Sequence, residues 1–75
     1  MIALDQLLKG QEAQIKHFET DKLPLKLIEM GCLPGNSVSL IQKAPFSDPL
    51  YLKIDGSHLA IRKETAQHIY VQLKE

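Results

Sequence analysis

The sequence predicts a mainly β protein, a small barrel of about five short strands with short helices inserted between them. Three observations carry this expectation. Asp55-Gly56 lies between two alternating apolar segments, and both central residues of the favoured two-residue hairpin turn need positive φ, which Asp and Gly tolerate. Met30-Gly31-Cys32-Leu33-Pro34-Gly35 reads as a helix stop entering a tight turn. Alternation at Ala13 and Ile15, and again at Ile69, Val71 and Leu73, marks strands flanking these features.

Taken in order, Leu4, Leu7 and Leu8 sit at helical spacing and Gly10 stops them, so a helical turn opens the chain. Ala13 to Phe18 is the first strand, and His17-Phe18 breaks its alternation, the mark of a bulge or a strand end. A helix from Pro24 to Met30 follows, with Asp21 upstream as an anionic cap. At 100° per residue, Leu23, Leu27 and Met30 share its buried face with Ile28 beside them, while Leu25 points outward. Gly31 ends the helix in the left-handed conformation, and Leu33-Pro34-Gly35-Asn36 is a type II turn. The second strand is Ser37 to Ile41. Folding about Asp55-Gly56 pairs Leu52 with Leu59 and Leu50 with Ile61 on the core face. The same register sets Lys53 opposite His58 and Tyr51 opposite Ala60 outside. Arg62 to Gln67 is one helical turn, and Ile69 to Leu73 the last strand. Closing the sheet into a barrel would hide most strand edges.

The chain of 75 residues reads as one domain over 1–75, with no linker, repeat or composition shift. One cysteine allows no internal disulfide, so packing must hold the fold and a reducing compartment is expected. Nine basic and nine acidic residues balance, which argues against a general nucleic-acid binder. No apolar run reaches the ~20 residues of a membrane span. Met1-Ile2-Ala3-Leu4-Asp5 lacks the marks of a signal peptide. A cytoplasmic, soluble domain is the expectation.

Three segments, Met30 to Gly35, Ala44-Pro45-Phe46-Ser47-Asp48-Pro49 and Leu59-Ala60-Ile61-Arg62, resemble FeoA, the small cytosolic component of bacterial ferrous iron uptake. The resemblance spans essentially the whole chain and implies an SH3-like barrel with inserted helices. Related domains stand at the C-terminus of iron-dependent repressors, whose helix-turn-helix and metal-sensing segments are not found here. The resemblance also implies action on the FeoB membrane transporter, whose cytosolic G domain hydrolyses GTP, and so a location peripheral to the inner membrane through that partner. Transition-metal binding is part of the family's description, with no fixed ligand residues. Homo-oligomerisation is implied only in weak form.

The residues offer few sites for chemistry. His17, Cys32, His58 and His68 are the candidate metal ligands, and their irregular spacing encodes no local chelate. No cofactor is firmly implied, and Fe²⁺ or Zn²⁺ could be held only weakly or between molecules. Cys32 reads either as a metal or redox thiol or as a small apolar plug beside Leu33. Arg62, the only arginine, suits a partner's phosphate or carboxylate, or else pairs with Glu29 or Glu64. Gly31 and Gly35 lack phosphate-loop spacing, and no nucleophile has an adjacent base, so an enzyme is the least supported class. Leu25, Ile41, Phe46, Tyr51 and Tyr70 are expected outside. The favoured partner surface is the loop Ala44, Pro45, Phe46, Asp48 and Pro49, stiffened by two prolines with an aromatic anchor, together with Leu25 and Arg62. Three functions compete: an interaction module for FeoB, a metal-binding or sensing domain, and a repressor-type regulatory domain that takes a proline-rich segment.

Overall fold

A computed structural model describes residues 1–74. Its frame is one antiparallel sheet built from β1 (Ile2–Ala3), β2 (Glu12–Phe18), β3 (Ser37–Lys43), β4 (Leu50–Ile54), β5 (Ser57–Ile61) and β6 (Ile69–Leu73). The strand order is β1-β6-β2-β3-β4-β5. Two short helices, α1 (Leu25–Glu29) and α2 (Lys63–Ala66), interrupt it, along with 3₁₀ turns at Leu4–Gln6, Thr20–Lys22 and Pro45–Ser47. Six strands replace the expected five. The addition is β1, whose Ile2 lies opposite Val71 and Ala3 opposite Tyr70.

The sheet curls without closing. Lys16 in β2 and Ile41 in β3 fall at register shifts against β6 and β4. Such bulges bend a strand and increase its twist, so the sheet wraps around a core. The expected closed cylinder is corrected on one point: among the described residues no ladder joins β5 to β1. The turn at Leu4–Gln6 packs against α2 and β6, and Leu4 and Leu7 are buried in the core. Leu8 is exposed, because the turn ends at Gln6 before a helical face can form.

The alternating strand residues Ala13, Ile15, Leu50, Leu52, Leu59, Ile61, Ile69 and Val71 are buried, and Val38 and Leu40 of β3 are buried with them. Leu23, Cys32, Ile54 and Ala66 join them, and among the described residues no polar side chain is buried with them. The hairpin register is the one read from Asp55-Gly56, pair by pair. Both turn residues have positive φ, +48° and +84°.

α1 is shorter than expected. Pro24 is its N-cap and no side chain caps it, so Asp21, held in the preceding 3₁₀ turn, plays no such part. Leu27 and Ile28 pack on the core, but Met30 is 38% exposed. It is the C-cap, already outside the helix, and the 100° rule stops there. The stop is a full Schellman motif: the Gly31 N–H donates to the Ile28 carbonyl (3.1 Å) and the Cys32 N–H to Leu27 (3.0 Å). The Pro34-Gly35 turn is then bonded back to β2, the Gly35 N–H donating to the Ile15 carbonyl at 2.7 Å and the Ile15 N–H to Asn36 at 2.9 Å. Asn36 Nδ2 donates to the Gly31 carbonyl at 2.7 Å, which ties helix stop and turn together.

Candidate docking surface

One end of the barrel carries the strongest feature. Lys43 and Leu50 pair at the last rung of β3 and β4, and Leu50 pairs with Ile61 of β5. Beyond that rung the Ala44 N–H donates to the Pro49 carbonyl (3.0 Å) and the Ser47 N–H to the Ala44 carbonyl (2.8 Å), so the loop closes on its own base. Asp48 Oδ1 accepts from the Lys63 N–H at 3.0 Å. That carboxylate satisfies one of the donors a helix leaves open at its start, and it fixes the loop against α2.

At the tip, Phe46 is 100% exposed. Its backbone has φ +66° and ψ +18°, and Ser47 follows at φ +63°. Left-handed backbone costs a residue with a side chain about 1–2 kcal/mol. Two in succession persist only because the surrounding bonds over-determine the loop. The result is an aromatic side chain presented to solvent from a fixed backbone.

The expected partner-facing residues divide. Pro45, Phe46 and Asp48 are exposed, and Pro49 is half-buried. Ala44 is buried, which corrects its assignment as a contact: it is the inward pin of the loop, not part of its surface. Arg62 is exposed at the N-cap of α2, next to the residue that Asp48 holds. It makes no ion pair among the described residues, so the expected pairing with Glu29 or Glu64 is not formed. Leu25 is 66% exposed on α1, and among the described residues no hydrogen bond ties that helix to the loop.

The candidate metal ligands are dispersed. Cys32 is completely buried, and burial pushes its thiol from 9.0 up to about 11. At neutral pH it is a protonated apolar plug, whereas a metal needs the thiolate. The His17 ring stacks on Tyr70 with centroids 6.0 Å apart. His68 Nδ1 lies 3.0 Å from Glu19 Oε2, at the same end of the β2–β6 ladder. His58 stands exposed opposite Lys53 on the outer hairpin face. Among the described residues, no three His, Cys, Asp or Glu side chains are placed to hold a metal ion.

A polar groove of about 330 Å³ runs over the outer face of β2, β3 and β4, lined by Glu12, Ser37, Ser39, Lys53, Asp55 and Lys74. The sequence reading missed it, since its residues come from strand faces read only as solvent-facing. Lys74 Nζ donates to Ser37 Oγ across it, a surface bond between exposed groups. No helix among the described residues is long and apolar enough to cross a membrane.

Comparison with known proteins agrees with this geometry. Residues 2–73 match the FeoA domain family. A fusion protein of Fe(2+) transport protein A and the Fe(2+) transporter FeoB, from Porphyromonas gingivalis, is 34% identical over 71 residues. That match covers 93% of this chain and 8% of the fusion protein. The solution structure of iron(II) transport protein A from Clostridium thermocellum is 33% identical with a TM-score of 0.83, covering 96% of this chain and 45% of that one. The zinc-complexed FeoA of Stenotrophomonas maltophilia, described as a prokaryotic SH3 domain protein, is 22% identical. It superposes with a TM-score of 0.81 over 96% of this chain and 91% of its own, which shows the SH3-like fold.

Proposed function

This chain belongs to the FeoA family, associated with ferrous iron transport, and from that premise we propose that it is a non-enzymatic module docking to the cytosolic G domain of a FeoB transporter. In this role it supports or regulates ferrous iron uptake while peripheral to the inner membrane through its partner. The observation that carries the reading is the P. gingivalis fusion, in which a segment 34% identical to this chain shares a polypeptide with FeoB. Covalent linkage raises the effective concentration of two modules, and it favours pairs that work in contact.

The contact we assign is the barrel end around Phe46, with Pro45, Pro49 and Arg62 beside it and Leu25 as a second apolar point. A rigid aromatic residue loses little conformational freedom on binding, so it suits an anchor. Truncating such an anchor costs about 2 kcal/mol or more, equivalent to roughly 30-fold in affinity. The test is a titration of the full chain against the FeoB cytosolic domain. Phe46→Ala should weaken binding by at least that factor, and Leu25→Asp should weaken it further. Undiminished binding by both variants would remove this surface, and absence of binding by the unmodified chain would remove the partner.

A further inference from the structure

The β4–β5 ladder ends at the Leu50–Ile61 rung, and one step further Pro49 comes level with Arg62. Ile61 is buried and Arg62 exposed, the alternation of an extended strand, and Arg62 keeps extended backbone at φ −64° and ψ +144°. Phe46 lies three residues before Pro49. At most about 11 Å of chain therefore separates their Cα atoms. Adding the ~5 Å between facing residues places the Phe46 and Arg62 backbones within roughly 16 Å of each other. A standard interface covers ~800 Å² on each partner, a patch roughly 30 Å across, so one partner can cover both. The bond from the Lys63 N–H to Asp48 Oδ1 (3.0 Å) fixes the loop to the residue that follows Arg62.

Arg62 is the only arginine of the chain. The nearby carboxylates of Asp48 and Glu64 form no ion pair with it among the described residues, so its charge is open to a partner. A carboxylate and a phosphate are the two anions that suit a guanidinium fork. Phosphate is poorly served here. An anion at a helix start is held by open backbone N–H groups, but the Lys63 N–H is already taken by Asp48. The Asp48 carboxylate also sets a negative charge where that phosphate would sit, and like charges repel. What remains is the guanidinium alone, whose planar donors match one carboxylate in bidentate fashion. We propose, resting on the docking reading above, that Arg62 pairs with a surface carboxylate of the partner beside the apolar pocket that receives Phe46. The ring then supplies burial, and the fork fixes the orientation in which the barrel end lands. Charge pairs of this kind set register and suppress wrong partners more than they add affinity.

The experiment is a titration of the full chain against the FeoB cytosolic domain, loaded in turn with GDP and with a non-hydrolysable GTP analogue. Arg62→Glu should weaken binding at least about tenfold in both nucleotide states. Arg62 is exposed and unpaired, so the variant should melt with the unmodified chain. Lys53→Glu makes the same change of charge on the outer hairpin face and should alter binding less than about twofold. A scan replacing surface carboxylates of the FeoB domain by lysine should find one that restores Arg62→Glu binding but not Phe46→Ala binding. Undiminished binding by Arg62→Glu, with the Phe46→Ala loss intact, overturns this inference and leaves the docking reading standing. A loss confined to the GTP form assigns Arg62 to the nucleotide phosphate and overturns it. So does an equal loss from Lys53→Glu, or a scan in which no carboxylate restores binding. Failure of the unmodified chain to bind removes the docking reading, and this pairing with it.

Discussion

Gly31→Ala tests the junction on which the fold turns. Gly31 has φ +104°, and a Cβ built there would lie 3.3 Å from the Asp55 Cβ in the hairpin turn. Two costs combine. The left-handed backbone is worth about 1–2 kcal/mol for an L residue, and crowding the hairpin adds on the order of 1 kcal/mol as the two turns are pushed apart. Gly35 is the internal control, because its φ is +96° but nothing lies within 4 Å of its Cβ position. Gly35→Ala should therefore lose about 1–2 kcal/mol and Gly31→Ala about 2–3 kcal/mol. In a domain this small each kcal/mol moves the midpoint by roughly 4–8 °C, so Gly31→Ala should melt at least ~8 °C lower than the unmodified chain. Urea unfolding followed by circular dichroism gives both values on one scale. In an Asp55→Gly background the excess at Gly31 should vanish, since the opposing Cβ is gone while the turn keeps its positive φ. Equal losses at the two glycines, within ~0.5 kcal/mol, would refute the close approach as the reason for glycine there.

Phe46→Gly should raise stability by about 1 kcal/mol, by relieving φ +66°, while abolishing binding to the FeoB domain; a melt paired with a titration reads both. Asp48→Ala should cost about 0.5–1.5 kcal/mol through the lost Lys63 N–H bond, and it should weaken docking beyond that stability change because the loop loses its tether. Cys32 predicts an alkaline effect. Its thiol titrates near 9.0 when unfolded and about 11 when folded, so the folded chain keeps a proton that the unfolded chain releases. That contribution is complete below pH 9.0 and is lost as pH rises through about 11, a total on the order of 2–3 kcal/mol. Melting curves across that window, compared with Cys32→Ala, isolate it, and parallel curves would show that the thiol is not desolvated.

What was legible in the chain was whatever rests on backbone requirements. Asp55-Gly56 specifies the turn, and the turn specifies the register of Leu50, Leu52, Leu59 and Ile61. Gly31 and Pro34-Gly35 specify the helix stop in the same way. The sixth strand was not legible because two residues, Ile2 and Ala3, cannot display a period. Met30 was misplaced because angular counting assumes a helix that in fact ends at Glu29. Ala44 was read as surface because it lies in a loop, yet the bond from its N–H to Pro49 turns it inward. Of the candidate surface, Phe46 was visible as an exposed aromatic residue. Its left-handed backbone was not, since nothing in phenylalanine asks for it.

The distribution of positive φ separates what the fold needs from what it merely tolerates. Gly31, Gly35 and Gly56 occupy such positions with the residue that suits them, and Asp55 is one of the few others that accepts the conformation. Phe46 and Ser47 follow no such rule. Glycine or asparagine would serve the loop better at both positions, and a side chain that touches no core contributes nothing to hold the ring there. Minimally frustrated sequences agree with their folds at each local choice, and departures concentrate where function opposes stability. A fully exposed aromatic ring on strained backbone, tethered to α2 by Asp48, is such a departure. The energy spent on it is recovered only if the ring is buried by something outside this chain.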